Sequence, residues 1–133
     1  MENKINQYST AALAYLGDSV IEVLVREELV KEGLSSSRSL NAKALEYVKA
    51  SKQAEAMKNI LPLLDEEENA VFHRGRNMGH TNIPKSATVA EYRSATGMET
   101  LFGYLHLLGK NERMHELFNA AYEIKSDINN ENN

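Results

Sequence analysis

Residues 12–25 read ALAYLGDSVIEVLV, and this stretch constrains the fold more than any other. Leu13, Leu16, Val20, Ile21 and Leu24 recur at spacings of three and four, the period of one helix face. Ser9 or Thr10 stands where an N-cap is wanted and Gly33 where a helix stops, so a helix is expected from about Ala11 to Lys31. A carboxylate, Asp18, interrupts the apolar run one residue after Gly17. A charge buried there is costly unless it is paired, hydrogen-bonded or bound to metal. The stretch therefore asks the rest of the chain for a partner.

The same period continues downstream. Leu40, Ala44, Tyr47 and Val48 give a stripe to a helical region over about residues 38–60, with a break expected near Ala50–Ser51 and an end at Pro62. Asp65 followed by Glu68 is a capping-box arrangement that opens a short helix. The segment RGRNMGHTNIPK, residues 74–85, has no apolar stripe and is expected to be a loop. A long helix is expected from about Ser86 to Leu108, stopped by Gly109, and a last one capped by Asn111 and ending near Lys125. With two prolines and no run that alternates at period two, the fold class is all-α.

At 133 residues and 42% hydrophobic, the chain is long enough for one domain with its own core, placed at residues 1–125. The tail 126–133 lacks apolar anchors and is expected to be disordered. The absence of cysteine excludes disulfides and thiolate metal sites. Together with a start that lacks a signal-peptide core, it leads to the expectation of a cytoplasmic protein. A formal charge of −4 argues against a non-specific coat for nucleic acid, but leaves room for a local basic strip.

The four histidines show no ligand-pair spacing, and neither a phosphate-binding Walker sequence nor a nucleophile elbow is present. The acids are more informative. Glu99 lies inside SATGMETLFGYLHLLG, a second apolar run broken by one carboxylate. Two such helices could bring Asp18 and Glu99 together, and Mg²⁺ favours one or two carboxylates supplemented by water and substrate phosphates. The alternative is that each acid faces solvent or pairs with a neighbouring cation such as Arg93. Gly17 and Gly97 each sit within two residues of an acid, and close approach of a backbone or ligand is a usual reason for glycine inside a helix. Arg74, Arg76 and Lys85 cluster in or beside the 74–85 segment, a composition that suits contact with a phosphate backbone or, equally, a solvated loop.

These residues carry a family likeness. ALAYLGDSVIEVLV resembles the most recognisable helix of the ribonuclease III family, and GMETLFGYLHL is similar to that family's second acidic helix. Both occur in the right order, with a basic glycine-containing segment between them, and the likeness runs to about residue 122. The short chain and FHRGRN…PK…YRSATGMETLFGYL point to the branch consisting of the catalytic domain alone, without a double-stranded-RNA-binding domain.

The resemblance implies an all-α homodimer that grips double-stranded RNA in a groove and hydrolyses phosphodiesters with Mg²⁺, leaving 5′-phosphate and 3′-hydroxyl ends. It implies maturation of large-subunit (23S) ribosomal RNA precursors, and leaves open whether a ribosomal protein helps present them. Residue by residue, Asp18 and Glu99 take the places of catalytic metal-binding acids. Two other family acids are absent: their positions hold Ala14 and Thr96. Glu22, one turn beyond Asp18, is the nearest candidate for a supporting acid, and Glu91 a weaker one. Arg74, Arg76 and Lys85 would contact RNA. The rival readings are a ribonuclease III-like RNA-binding module that has lost catalysis, and an unrelated helical adaptor.

Overall fold

The computed structural model describes residues 7–79 and 85–125, and the tail expected to be disordered lies outside them. Six α-helices follow one another: α1 (Thr10–Lys31), α2 (Ser37–Val48), α3 (Ala50–Ile60), α4 (Glu66–Arg76), α5 (Val89–Leu107) and α6 (Asn111–Ala121). No strand occurs among the described residues.

Most boundaries follow from local chemistry. The Ser9 hydroxyl accepts from the Ala12 amide at 3.0 Å, and Gly33 leaves the helix at φ +90°. Asp65 with Glu68, and Thr88 with Glu91, each form a complete capping box. The expected break in the second helical region falls at Lys49, whose extended backbone (ψ 144°) separates α2 from α3. A short 3-10 turn, Leu61–Leu63, takes up Pro62.

Three expectations need correction. Helix α5 begins at Val89 rather than Ser86, because the Thr88–Glu91 box fixes its start. Lys110, not Asn111, holds the cap position of α6, which ends at Ala121 rather than near Lys125. Helix α4 runs through Arg76, so Arg74 and Arg76 stand on a helix rather than in a loop.

Helix α5 is the axis of the molecule, with α1, α3 and α4 packed around it. From Ala95 to Leu105, every residue except Glu99 is buried. A helix enclosed on all sides needs little amphipathicity. Its buried threonine hydroxyls are satisfied within the helix: Thr96 donates to the Tyr92 carbonyl at 3.0 Å and Thr100 to the Thr96 carbonyl at 2.8 Å. The stripe expected on α1 supplies the opposing surface, with Leu13, Val20, Ile21 and Leu24 buried and Leu16 partly so.

Glycine sets how closely the helices approach. A Cβ built on Gly17 would meet the carbonyl group of Glu99 and lie 2.9 Å from the Gly103 amide, while one on Gly103 would meet the Leu13 carbonyl. The backbones of α1 and α5 therefore touch at this crossing. Gly75 and Gly97 do the same for α4 and α5, against Thr100 and Phe72.

Away from the crossing, α6 is fastened to the start of α4 by a buried ion pair. Arg113 grips Glu68 through Nε at 2.8 Å and Nη2 at 2.7 Å, and Nη2 also donates to the Leu63 carbonyl. Glu68 is only 2% exposed, and the guanidinium holds its carboxyl below the usual carboxylate range.

Candidate active site

The crossing of α1 over α5 places Asp18 beside Glu99. Gly17 immediately precedes Asp18, and the backbone group it touches belongs to Glu99 itself. The two carboxyl groups lie within hydrogen-bonding reach of one another. Glu99 is the half-buried member, and burial, reinforced by the facing Asp18 charge, pushes its pKa from 4.5 up to about 8. Its charged neighbour is thus Asp18 and not Arg93. Asp18 itself is exposed, so it is the solvent-facing member of the pair. The pair is therefore open to solvent on the Asp18 side.

The two positions where family acids are absent flank this pair. Ala14 is one turn before Asp18 and Thr96 one turn before Glu99, and both are buried. Thr96 commits its hydroxyl to the α5 backbone. Among the described residues no group of three or more His, Cys, Asp or Glu side chains gathers as a metal cluster. What remains is two oxygen-donor side chains, one of them exposed, a donor set that fits a hard cation keeping most of its waters.

The supporting acids go elsewhere. Glu22 is exposed and ion-paired with Arg26 at 3.2 Å, in the groove between α1 and α2. Glu91 accepts from the Thr88 amide at 3.0 Å and is committed to the start of α5.

The basic residues divide. Two positions apart on α4, Arg74 and Arg76 point about 200° from one another around the helix. Arg74 turns toward α1 and donates to the Tyr8 carbonyl at 3.3 Å and the Thr10 hydroxyl at 3.1 Å. Arg76 turns toward α3 and lines a separate groove. Lys85 is exposed at the edge of the described residues, and residues 80–84 of the expected loop lie outside them. Sequence reasoning passes over Gly103, the counterpart of Gly17. Its signal was available: a glycine one turn after Glu99, inside an otherwise apolar helix.

With this geometry in hand, comparison with known proteins is decisive. The Ribonuclease III domain model matches residues 11–110. The chain belongs to the ribonuclease III family. Within it, the chain is 46% identical to Mini-ribonuclease 3 of Symbiobacterium thermophilum over 84% of its own length and 86% of that protein. With Mini-ribonuclease 3 of Enterococcus faecalis it shares 43% identity over 92% and 95% of the two chains. A crystal structure of a protein from Fusobacterium nucleatum superimposes with a TM-score of 0.81 at 33% identity, covering 90% of this chain and 95% of the other. This places the chain in the Mini-ribonuclease III (Mini-III) branch, and makes it an endoribonuclease with the all-α ribonuclease III fold.

Proposed function

We propose that this member of the ribonuclease III family is a Mg²⁺-dependent endoribonuclease that cleaves double-stranded RNA. The observation that carries the reading is the facing pair Asp18 and Glu99 at a glycine-built helix crossing, in a fold shared with the Mini-ribonucleases 3. Burial and the facing Asp18 raise the proton affinity of Glu99, an arrangement that a cation between the two would relieve; Asp18 and Glu99 would hold the metal, with water and RNA phosphates completing its shell. When bound, the metal would supply a polarised water and offset charge developing on the phosphate. The chain's own contribution is rigidity. The backbone contact at Gly17 and Gly103 fixes the spacing of the two carboxylates, and the exposure of Asp18 leaves one side open to the RNA.

The protein is further proposed to act as a homodimer in the cytoplasm and to mature large-subunit (23S) ribosomal RNA precursors, with a ribosomal protein as a candidate helper. In support of pairing, Tyr15 (84% exposed) and Val23 (63%) project from α1, and Leu107 and Leu108 are exposed at the end of α5. An apolar groove lined by Leu16, Val20, Val23 and Met114 lies on the same side.

The test incubates the purified protein with long double-stranded RNA in Mg²⁺ or in EDTA, beside Asp18→Asn. Cleavage that requires Mg²⁺ and disappears in the variant is the expected result. RNA bound but never cut by the wild type would instead identify an inactive binding module. Neither binding nor cutting would return the chain to a protein adaptor.

A further inference from the structure

Between α3, the end of α4 and the start of α5 lies a groove of about 780 Å³, on the far side of α4 from Arg74. Its rim carries Lys52, Lys58 and Arg76, in a chain whose formal charge is −4. The acids on the same rim are already engaged. Glu55 pairs with Lys52 at 3.8 Å, and Glu91 is committed to its capping box. Lys58 makes no ion pair among the described residues, and Arg76 has only a 3.5 Å contact to the Asn77 side chain. Two exposed cations are thus left without counter-charges, beside the positive end of the long helix α5, whose Ala90 lines the groove.

Along α5 the groove is close to the carboxylates. Ser94 on its wall lies five residues before Glu99, about 7.5 Å of helix rise and about 140° around the axis. A duplex engaged at Asp18 and Glu99 extends far beyond this rise and would carry further phosphates past α5 to the rim. Neither side chain can be a catalytic residue from there, because the body of α5 stands between them and the acids.

We propose that Lys58 and Arg76 form a phosphate-backbone subsite that positions the RNA on the enzyme. The inference rests on the double-stranded-RNA reading given above. It assigns α3 a role in substrate binding, and it separates Arg76, which would contact RNA, from Arg74, which braces the start of α1.

The test measures binding of a fluorescent RNA duplex in EDTA between about 50 and 200 mM KCl, where each phosphate contact contributes about 0.9 to the slope of log K against log salt. The double variant Lys58→Gln/Arg76→Gln should lose about 2 from that slope and bind roughly 10- to 60-fold more weakly near 0.1 M salt. In Mg²⁺ its KM should rise by a similar factor while kcat stays within about twofold, as for uniform binding energy removed away from the reacting atoms. Lys31→Gln/Arg38→Gln changes net charge equally at exposed positions on α1 and α2 and should leave slope and KM unchanged. All four side chains are exposed, and a circular dichroism melt confirms folding of both variants. If wild type binds RNA and the Lys58/Arg76 variant matches it or the control, the subsite is overturned and the nuclease reading stands. If wild type binds no RNA, both fall.

Discussion

Replacing Gly17 by alanine sets two effects of known size against each other. Alanine inside a helix is favoured over glycine by about 1 kcal/mol, so propensity alone predicts a more stable protein. The crossing predicts the reverse. The added Cβ would stand 2.5 Å from the Glu99 carbonyl carbon, with the carbonyl oxygen nearer still, whereas ordinary contact begins at 3.4 Å. Helices α1 and α5 must part by about 0.9 Å or more, and the obstacle is backbone, which cannot rotate away. Overpacking of this kind costs about 1–3 kcal/mol, and a backbone clash belongs at the upper end, so the net loss should be about 1–2 kcal/mol. The same displacement moves Asp18 from Glu99, and a misplacement near 1 Å in a reacting constellation costs on the order of 100-fold in rate. Urea unfolding at fixed protein concentration and initial rates on double-stranded RNA measure the two losses separately. A Gly17→Ala protein that is more stable than wild type and cleaves at the normal rate would refute the close crossing and the rigidity argument built on it.

Two further outcomes follow from the charges. Glu99 titrates near 8 when folded and near 4.5 when unfolded, so its favourable contribution is complete below pH 4.5 and is lost as pH rises to about 8. That interval corresponds to at most about 5 kcal/mol, and solvent beside exposed Asp18 should reduce the measured effect to about 1–3 kcal/mol. In EDTA, Glu99→Gln should therefore be increasingly more stable than wild type between pH 5 and 9. A difference that does not grow with pH would show that folding does not raise the proton affinity of Glu99. Glu68→Gln should cost about 2–4 kcal/mol at pH 7 by removing the buried carboxylate of the pair and leaving Arg113 only the exposed Glu116. Because the Glu68 pKa is lowered on folding, that contribution is present above its unfolded value and lost as pH falls through the folded one. The variant and wild type should thus converge in stability toward strongly acidic pH, and urea midpoints that stay equally far apart there would contradict the ion-pair account.

The helices themselves were legible because their signals are local. Ser9 and Asp65 with Glu68 each bond an amide three residues on, and Gly33 and Gly109 take positive φ, so neighbouring residues suffice to set these ends; the equally local Thr88 bond was passed over in favour of Ser86. Where the boundary was misplaced, as at Arg76, the helix continues because Gly75 packs against Thr100 and Gly97 of α5, a contact no local pattern announces. Asp18 and Glu99 stood out because each interrupts an apolar run close to a helical glycine.

Their meeting belongs to tertiary structure. Helical period says which residues share a face, but not which face meets which, and the register of α1 on α5 is decided by the glycine contact at Gly17 and Gly103. Proximity along the chain does not set partners either, for the same reason. Glu22, one turn from Asp18, is drawn to Arg26, and Arg74 and Arg76 diverge because successive helical residues turn through about 100°. The sequence alone determined six helical segments and the two acids worth watching. Packing determined that those acids face each other, because only the close approach of two backbones brings such distant residues within reach.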